Sequence, residues 1–270
     1  DCKLAIQKNS QLTPGFAYFN DTIRDSLRGS VFFSDALGYI TGATGIGSTL
    51  EACFRGLPHW CSDPKQTINY VSCHDNNTLI DRIALATPDS SFETHVRMNR
   101  LAAVFYMTAQ GVPFLQAGEE MLRSKPKGGF VENSYCSSDK VNSIKWNLLE
   151  KKIYRDTFEY YKGLIALRKA HPALRLTSAY DILSNLLPVH CDHPHVGAFR
   201  LCGNTAGEPS EELFIVFNAA ESAQKVALPK GKWQICVNDT HAGTESLGTV
   251  EQEVTLSPIS AMVLVKGNLK

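Results

Sequence analysis

Residues 67–79 read TINYVSCHDNNTL. The stretch opens with apolar, β-favouring residues such as Ile68 and Val71, and it ends in the polar series that contains His74 and Asp75. A short hydrophobic run that stops at turn residues is typical of a buried strand. Where parallel strands form a barrel, the carboxyl ends of the strands carry the catalytic groups. The pattern therefore predicts a candidate site at His74 and Asp75, although Asp75 as a helix cap and His74 as a buried histidine remain an alternative.

Two other stretches repeat this arrangement. Residues 16–19 form a short apolar run that ends at Asn20 and Asp21, and residues 112–116 form another that leads into Gly118-Glu119. Helical spacing follows the first run and precedes the second, in each case between two predicted strands. The first part of the chain is therefore predicted to be α/β, with three strand–helix units.

The segments between and after these units differ in character. A loop is predicted after Asn77, followed by a helix that begins near Ser91 and ends before Gly111. The glycine-rich residues 38–49 predict a mobile surface loop, because the lysine of a phosphate-binding loop is replaced by Ser48. Residues 123–147 form a long irregular stretch, which is usually functional in a compact domain.

The pattern changes near residue 178. An amphipathic helix over residues 154–168 ends at His171-Pro172, and short β-rich runs recur from Tyr180 onward. This predicts a first domain over residues 1–178 and an antiparallel β-sandwich over residues 179–270. The cluster HCDHPH at 190–195 offers metal-ligand side chains, but its members are too close together to surround one ion, so a turn is favoured.

Composition limits the classes of function. Lys plus Arg equals Asp plus Glu at 27 each, so no charge excess indicates nucleic acid or an anionic membrane. The apolar runs are too short to cross a bilayer. Eight cysteines occur without a CxxC pair, which favours buried free thiols and a cytoplasmic location, with secretion left open.

Several segments together resemble type I pullulanases, the debranching members of the α-amylase superfamily. They are, in chain order, FNDTIRDSLRG at 19–29, INYVSCHDNNTLIDRI at 68–83, GVPFLQAGEEMLRSK at 111–125, NSYCSSDKVNSIKW at 133–146 and LIALRKAHPAL at 164–174. The resemblance covers residues 11–178, and the β-rich tail fits the C-terminal domain of that family. It implies a partial (β/α)8 TIM barrel that holds the last three strand–helix units, the sixth to the eighth.

The resemblance also implies a division of catalytic groups. No segment matches the motif of the family's nucleophilic aspartate or that of its acid/base glutamate, so we expect a fragment that is inactive alone. Asp75 matches the third catalytic carboxylate, which stabilises the transition state of a retaining mechanism by holding sugar hydroxyls. His74 and Asn76 are expected to bind or orient substrate.

The remaining predicted substrate contacts come from two other segments. Asn20, Asp21 and Arg24 are expected to line the site or to brace its loops. Asn133 and Tyr135 in the long loop are expected to contact sugar, because an aromatic ring can stack on a sugar face.

These expectations combine into a functional hypothesis. The protein is predicted to hydrolyse α-1,6 branch linkages in pullulan, limit dextrin or amylopectin, with a branched α-glucan as its partner and with neither a cofactor nor a metal. Calcium is common in the superfamily, but no ligand set for it is evident here. The alternatives are an isoamylase or cyclomaltodextrinase-type relative, and a non-catalytic relative that binds glycans or proteins.

Overall fold

A computed structural model describes residues 4–126, 129–130, 132–203 and 205–269 of the chain. Three short parallel strands form one sheet: β1 (Tyr18–Phe19), β2 (Thr67–Asn69) and β3 (Val112–Pro113). They lie side by side in chain order, with β2 in the middle. The three predicted strands are confirmed, although each is shorter than its apolar run.

Helices connect and surround these strands. The α-helices of the described residues are α1 (Asp21–Arg28), α2 (Gly47–Phe54), α3 (Leu79–Ala86), α4 (Phe92–Thr108), α5 (Asp139–Asn142), α6 (Lys152–Ala170) and α7 (Ala179–Asn185). Short 3-10 helices cover Gln7–Leu12, Tyr39–Thr41, Pro64–Gln66, Glu119–Met121, Trp146–Glu150 and Pro172–Arg175. The predicted start of α4 is confirmed, because Ser91 caps it by accepting a hydrogen bond from the Thr94 amide.

The predicted loop after Asn77 is wrong, because α3 begins there. Thr78 caps this helix with its side chain, which accepts a hydrogen bond from the Asp81 amide. Leu79 and Ile83 lie on its buried face, four residues apart. The helix is only eight residues long, so its apolar periodicity is too brief to stand out from the polar series before it.

The predicted mobile surface loop at residues 38–49 is corrected only in part. Gly42, Thr44 and Gly45 are exposed and lie outside any helix or strand, as expected of a surface loop. Tyr39, Ile40 and Thr41 are buried in the structure. A Cβ atom on Gly38 would lie 2.4 Å from the carbonyl oxygen of Leu27, so only glycine permits this close approach to α1. The glycines of this stretch therefore serve packing as well as turns.

The second part of the chain is antiparallel, as predicted. Its strands are β4 (Leu186–Val189), β5 (Val196–Cys202), β6 (Ser210–Asn218), β7 (Gln224–Ala227), β8 (Trp233–Val237), β9 (Thr249–Val250), β10 (Glu253–Leu256) and β11 (Ser260–Gly267). Six of them form a sheet in the order β4-β5-β6-β11-β8-β9, and β7 pairs with β10 as a separate ribbon. The strands β4 and β9 were not predicted from the sequence.

The central strand β6 is buried on both faces. Phe214 and Val216 belong to a core shared with β7 and β10, so the ribbon packs on one face of the larger sheet. Ile215 and Phe217 belong to the main core, which also contains the buried residues of the helices. The six-stranded sheet therefore lies between a small ribbon and the helical layer, and the hydrophobic core continues across the predicted boundary at residue 178.

Four phenylalanines join the two parts, and we call them the aromatic cluster: Phe54, Phe105, Phe199 and Phe217. The ring of Phe54 on α2 stacks on Phe199 of β5, with centroids 4.1 Å apart and an interplanar angle of 17°. It also meets Phe105 and Phe217 edge to face, at 5.2 and 5.6 Å. Such aromatic pairs contribute beyond the area they bury.

The structure also bears on the expectation of buried free thiols and on that of no membrane-spanning segment. The seven cysteines within the described residues are free thiols, and three of them, Cys53, Cys61 and Cys236, are buried. The cytoplasmic location inferred from cysteine usage stays a prediction. Among the described residues, no helix combines the length and the apolar character needed to span a membrane.

A buried carboxylate supports the carboxyl end of β2. Glu119 is 4% exposed; Ser72 donates a hydrogen bond to its Oε2, and the hydroxyls of Tyr106 and Tyr161 lie 2.8 and 3.2 Å from its Oε1. Burial raises the pKa of Glu119 to about 7, although these three hydroxyl contacts act in the opposite direction. The glutamate therefore ties α4, α6 and the segment before His74 into one polar cluster.

We expect Phe54→Ala to lower the free energy of unfolding by about 3–5 kcal/mol, because the ring is fully buried and its removal leaves a cavity at the join between helices and sheet. Urea unfolding measures the effect. The control is Phe32→Ala, whose ring is 84% exposed and whose loss is expected to change stability by about 0.5 kcal/mol or less. Equal losses for the two variants would contradict the assignment of Phe54 to the core.

We expect Glu119→Gln to remove a pH dependence of stability. The folded-state pKa lies above the ordinary value of 4.5, so the folded protein holds this proton more tightly than the unfolded chain does. The resulting stabilisation is complete below pH 4.5 and is lost as the pH rises through about 7. The free energy of unfolding of Glu119→Gln relative to wild type should thus rise by about 3 kcal/mol from pH 4.5 to 8.

Urea unfolding of both proteins over this pH range measures the difference. The matched control is Glu120→Gln, which changes the adjacent, half-buried glutamate and should leave the pH profile close to that of the wild type. A parallel pair of profiles for wild type and Glu119→Gln would show that the buried carboxyl does not titrate in this range.

Candidate functional site

The predicted His-Asp pair points into solvent. The side chains of His74 and Asp75 are 87% and 73% exposed, and Nε2 of the imidazole lies 3.5 Å from Oδ1 of the carboxylate. Both residues follow the middle strand β2, at the carboxyl end of the parallel sheet. The alternative in which Asp75 caps the next helix and His74 is buried is therefore excluded, since Thr78 holds the cap.

Two buried cationic side chains donate hydrogen bonds to backbone carbonyl oxygens of the loop at residues 74–77. The ammonium group of Lys125 donates to the carbonyl oxygens of His74 and Asn76, at 3.4 and 3.1 Å. The guanidinium of Arg28 donates to the carbonyl oxygen of Asn77 at 3.0 Å. Burial lowers the pKa of Lys125, and it lowers that of Arg28 to about 10, so Arg28 stays charged at neutral pH. With the carbonyls turned inward, the side chains at positions 74 and 75 project outward.

The loop itself has a fixed turn. Asn76 has a φ of +61°, a left-handed conformation that asparagine tolerates better than most residues. Below it, Asp81 accepts a hydrogen bond from the Lys125 amide at 2.8 Å, and this contact anchors the lysine to α3. Burial raises the pKa of Asp81, against hydrogen bonds from neighbouring residues that lower it.

The long loop supplies the other wall of an open cleft. Glu132, Asn133, Ser134 and Tyr135 face His74, Asp75 and Asn76 across a cleft of about 320 Å³. The residue Tyr135 is 82% exposed, which leaves its ring free to contact a ligand. The structure thus brings five of the sequence-predicted site residues together: His74, Asp75, Asn76, Asn133 and Tyr135.

The predicted contacts in the first unit lie outside this cleft lining. Asn20 is fully buried; its side chain caps α1 and donates to Oδ1 of Asn69 at 3.0 Å. Arg24 is 8% exposed and donates to Asp21, Asp25 and the hydroxyl of Tyr70 at 2.9, 2.6 and 2.6 Å. Of the two roles expected for this group, the structure shows the bracing one, and substrate contact by Asn20, Asp21 or Arg24 stays a prediction.

Sequence reasoning missed the supporting residues. Lys125, Arg28 and Ser72 carry no pattern that separates them from ordinary surface residues. Glu119 did give a signal, because it follows a predicted strand, but its burial depends on α4 and α6 and no local rule predicts that. Glu132, which lines the cleft, was hidden in the irregular stretch.

A larger cleft of about 550 Å³ lies elsewhere. It is lined by residues that include Thr41, His193, His195 and Glu221. None of its lining residues follows a parallel strand, and its one carboxylate, Glu221, has no histidine partner among the ion pairs of the described residues. The cleft at Asp75 is therefore the stronger candidate.

The histidine cluster at 190–195 behaves as a turn, as predicted. His190 contacts Asp192 at 3.2 Å in a fully exposed position, and the rings of His193 and His195 meet edge to face with centroids 5.6 Å apart. Within the described parts of the chain, these side chains do not form a group of three ligand atoms close enough for one ion.

Comparisons with known proteins agree on one family. The family description "Pullulanase, all-beta domain" matches residues 184–241. The pullulanase of Bacillus subtilis strain 168 is 32% identical over 96% of this chain and 36% of its own length. A crystal structure of a pullulanase from Anoxybacillus sp. LM18-11 complexed with maltotetraose superposes with a TM-score of 0.90 at 32% identity, covering 98% of this chain and 37% of that one.

An isoamylase from Flavobacterium sp. is also similar, at 28% identity over 91% of this chain and 37% of its length. The chain thus spans roughly a third of the relatives it matches. Because sequence identity and fold agree over most of the chain and the all-β description matches residues 184–241, the chain belongs to the pullulanase family and corresponds to the C-terminal portion of such proteins.

Proposed function

We propose that this chain is part of a glycoside hydrolase that cleaves α-1,6-glucosidic branch linkages in pullulan, limit dextrin or amylopectin. The observation that carries the proposal is the exposed His74–Asp75 pair at the end of the middle parallel strand, facing Tyr135 across an open cleft. Membership of a debranching family and the maltotetraose bound by a solved relative support a branched α-glucan as the ligand.

The proposed role of Asp75 is to stabilise the transition state. A retaining glycosidase passes through an oxocarbenium-like transition state, and hydrogen bonds to sugar hydroxyls strengthen as the ring distorts. An ionised carboxylate accepts such hydrogen bonds strongly. The loop presents this carboxylate with its backbone already fixed by Lys125 and Arg28, so little reorganisation is needed when substrate binds.

The neighbouring side chains are proposed to position the sugar. The imidazole of His74 lies beside the carboxylate and is free to donate to an adjacent hydroxyl. Asn76 and Asn133 offer amide donors and acceptors along the cleft, and the exposed ring of Tyr135 is placed to lie against a sugar face.

We propose that the parallel sheet is part of a (β/α)8 barrel and that the nucleophile and the acid/base glutamate are supplied from outside these 270 residues. Two features support this. Within the described residues, β1 and β3 each pair on one side only. Large apolar residues in or near the edge strands are also left exposed, among them Phe16 at 61% and Val112 at 46%. Such edges normally pair or are covered.

A second candidate function is an isoamylase-type debranching activity, favoured by the 28% identity to a Flavobacterium isoamylase. The two differ in the α-glucan preferred, so relative rates on pullulan and on amylopectin separate them. A non-catalytic relative would bind oligosaccharide through the same cleft and hydrolyse neither substrate.

We expect Asp75→Asn, in the complete enzyme, to lower the turnover number on pullulan by at least about a hundredfold, because the amide lacks the charge that strengthens hydroxyl contacts in the transition state. The carboxylate is exposed, so the melting temperature should not change. The matched control is Asp192→Asn, an exposed aspartate beside a histidine in the β4–β5 turn, which should retain full turnover. A near-normal rate for Asp75→Asn would remove Asp75 from the mechanism.

We expect the 270-residue chain alone to release no maltotriose from pullulan, because a retaining mechanism requires a nucleophile and an acid/base group about 5 Å apart. The assay is product analysis after prolonged incubation at high protein concentration, with the complete enzyme as the positive control. Catalytic release of maltotriose by the chain alone would refute the proposal that both groups lie elsewhere.

A further inference from the structure

We propose that the turn Cys73–His74–Asp75 is a binding site for zinc or another thiophilic divalent cation. The thiol, imidazole and carboxylate of these consecutive residues present one ligand atom each, and all three atoms lie within 4.8 Å of one another. In the portion of the chain that the structure describes, this is the one group of three such side chains that comes so close. The site differs from the expectation drawn from the sequence, which was that no metal binds and that no calcium ligand set is evident.

The distances suit a tetrahedral ion. Ligands at about 2.0–2.3 Å from a zinc ion are separated from each other by about 3.4–3.6 Å in tetrahedral geometry. Nε2 of His74 and Oδ1 of Asp75 are already 3.5 Å apart. The thiol of Cys73 is folded back toward the turn, with Sγ 3.8 Å from the carbonyl oxygen of Asp75 and within 4.8 Å of the ligand atoms of His74 and Asp75.

The turn is held in the shape that the site requires. Lys125 fixes the carbonyl oxygens on both sides of Asp75, and the left-handed Asn76 sets the direction of the chain. The three side chains therefore lie on one outward surface without a cost in backbone ordering on binding. Glu132 lines the same cleft as His74 and Asp75, so its exposed carboxylate, or water, is available as a fourth ligand.

One sulfur, one nitrogen and one oxygen ligand favour zinc or cobalt(II) over calcium and magnesium. Calcium and magnesium prefer six or more oxygen ligands, whereas a thiolate with an imidazole is typical of zinc and cobalt(II) sites. Binding forms a metal–sulfur bond, the thiol proton passes to solvent, and the imidazole binds in its neutral form. The ammonium group of Lys125 donates to the carbonyl oxygens of His74 and Asn76, so its positive charge lies close to the proposed ion and limits the affinity. We therefore expect binding in the micromolar range rather than that of a structural zinc site.

A consequence for catalysis rests on the proposed function. An ion bound to Asp75 would occupy the carboxylate that is proposed to hold sugar hydroxyls, so metal and oligosaccharide would compete. The metal site itself does not depend on that proposal, because its ligands are defined without any saccharide.

The test is a titration of the purified protein with Co²⁺, whose bond to a thiolate gives a charge-transfer absorption in the near ultraviolet. Wild type should develop this band and lose it on addition of equimolar Zn²⁺, while Ca²⁺ and Mg²⁺ at the same concentration should leave it. Cys73→Ser should abolish the band and weaken Zn²⁺ binding at least tenfold. Cys136→Ser, which removes an exposed thiol outside the proposed site, should behave as wild type.

Melting curves establish that the variants fold, so loss of the band reports the ligand and not the fold. Absence of the band in wild type, or its persistence in Cys73→Ser, would overturn the site. A second titration, with maltotetraose in the presence and absence of Zn²⁺, addresses the consequence. Zinc binding without any maltotetraose binding would uphold the metal site and contradict the proposed function, so the two failures are distinguishable.

Discussion

The ammonium group of Lys125 lies beneath the loop that follows β2 and donates to two of its carbonyl oxygens. The candidate site depends on this contact, because a loop whose carbonyls are held inward must project its side chains outward. A buried ammonium is costly unless it is hydrogen-bonded, and here the carbonyls of His74 and Asn76 supply that compensation. Arg28 from α1 extends the same arrangement to Asn77. The loop is thus positioned by buried charge and not by packing of its own apolar residues.

The residues that support the loop after β2 come from several separate segments of the chain. Arg28 comes from the first strand–helix unit, Ser72 from the segment that follows β2, and Glu119 and Lys125 from the segment after β3. Glu119 in turn contacts tyrosines on α4 and α6. The aromatic cluster then joins these helices to the six-stranded sheet. This continuity gives the antiparallel part of the chain a physical role, since it packs against the helices that hold the site.

Strands and helices were predicted well where they are determined by neighbouring residues, such as an apolar run that ends in turn residues. Apolar runs ending in turn residues gave the three parallel strands, and β6 was evident from the continuous apolar series over residues 213–217, because a strand buried on both faces has no polar alternation. The short helix α3 and the edge strands β4 and β9 were missed, because an element of two to eight residues carries too little periodicity. The burial of residues 39–41 in the glycine-rich stretch was not predicted, since it depends on a close approach of Gly38 to α1.

The candidate site was predicted in part, for a comparable reason. His74 and Asp75 stand out because a strand ends at them, and Tyr135 because its loop is long. The buried residues beneath them do not stand out, since their function depends on three-dimensional contacts between positions about 50 residues apart, such as Lys125 with His74. Asn20 and Arg24 show the opposite case, in which polar residues at a strand end serve capping and ion pairing.

The most direct test of the central claim is a crystal structure of the complete enzyme with a bound maltooligosaccharide. We expect a sugar ring in the cleft, with its hydroxyls within hydrogen-bond distance of the Asp75 carboxylate and the ring of Tyr135 against a sugar face. An oligosaccharide bound productively elsewhere, with Asp75 and Tyr135 touching no sugar, would contradict it.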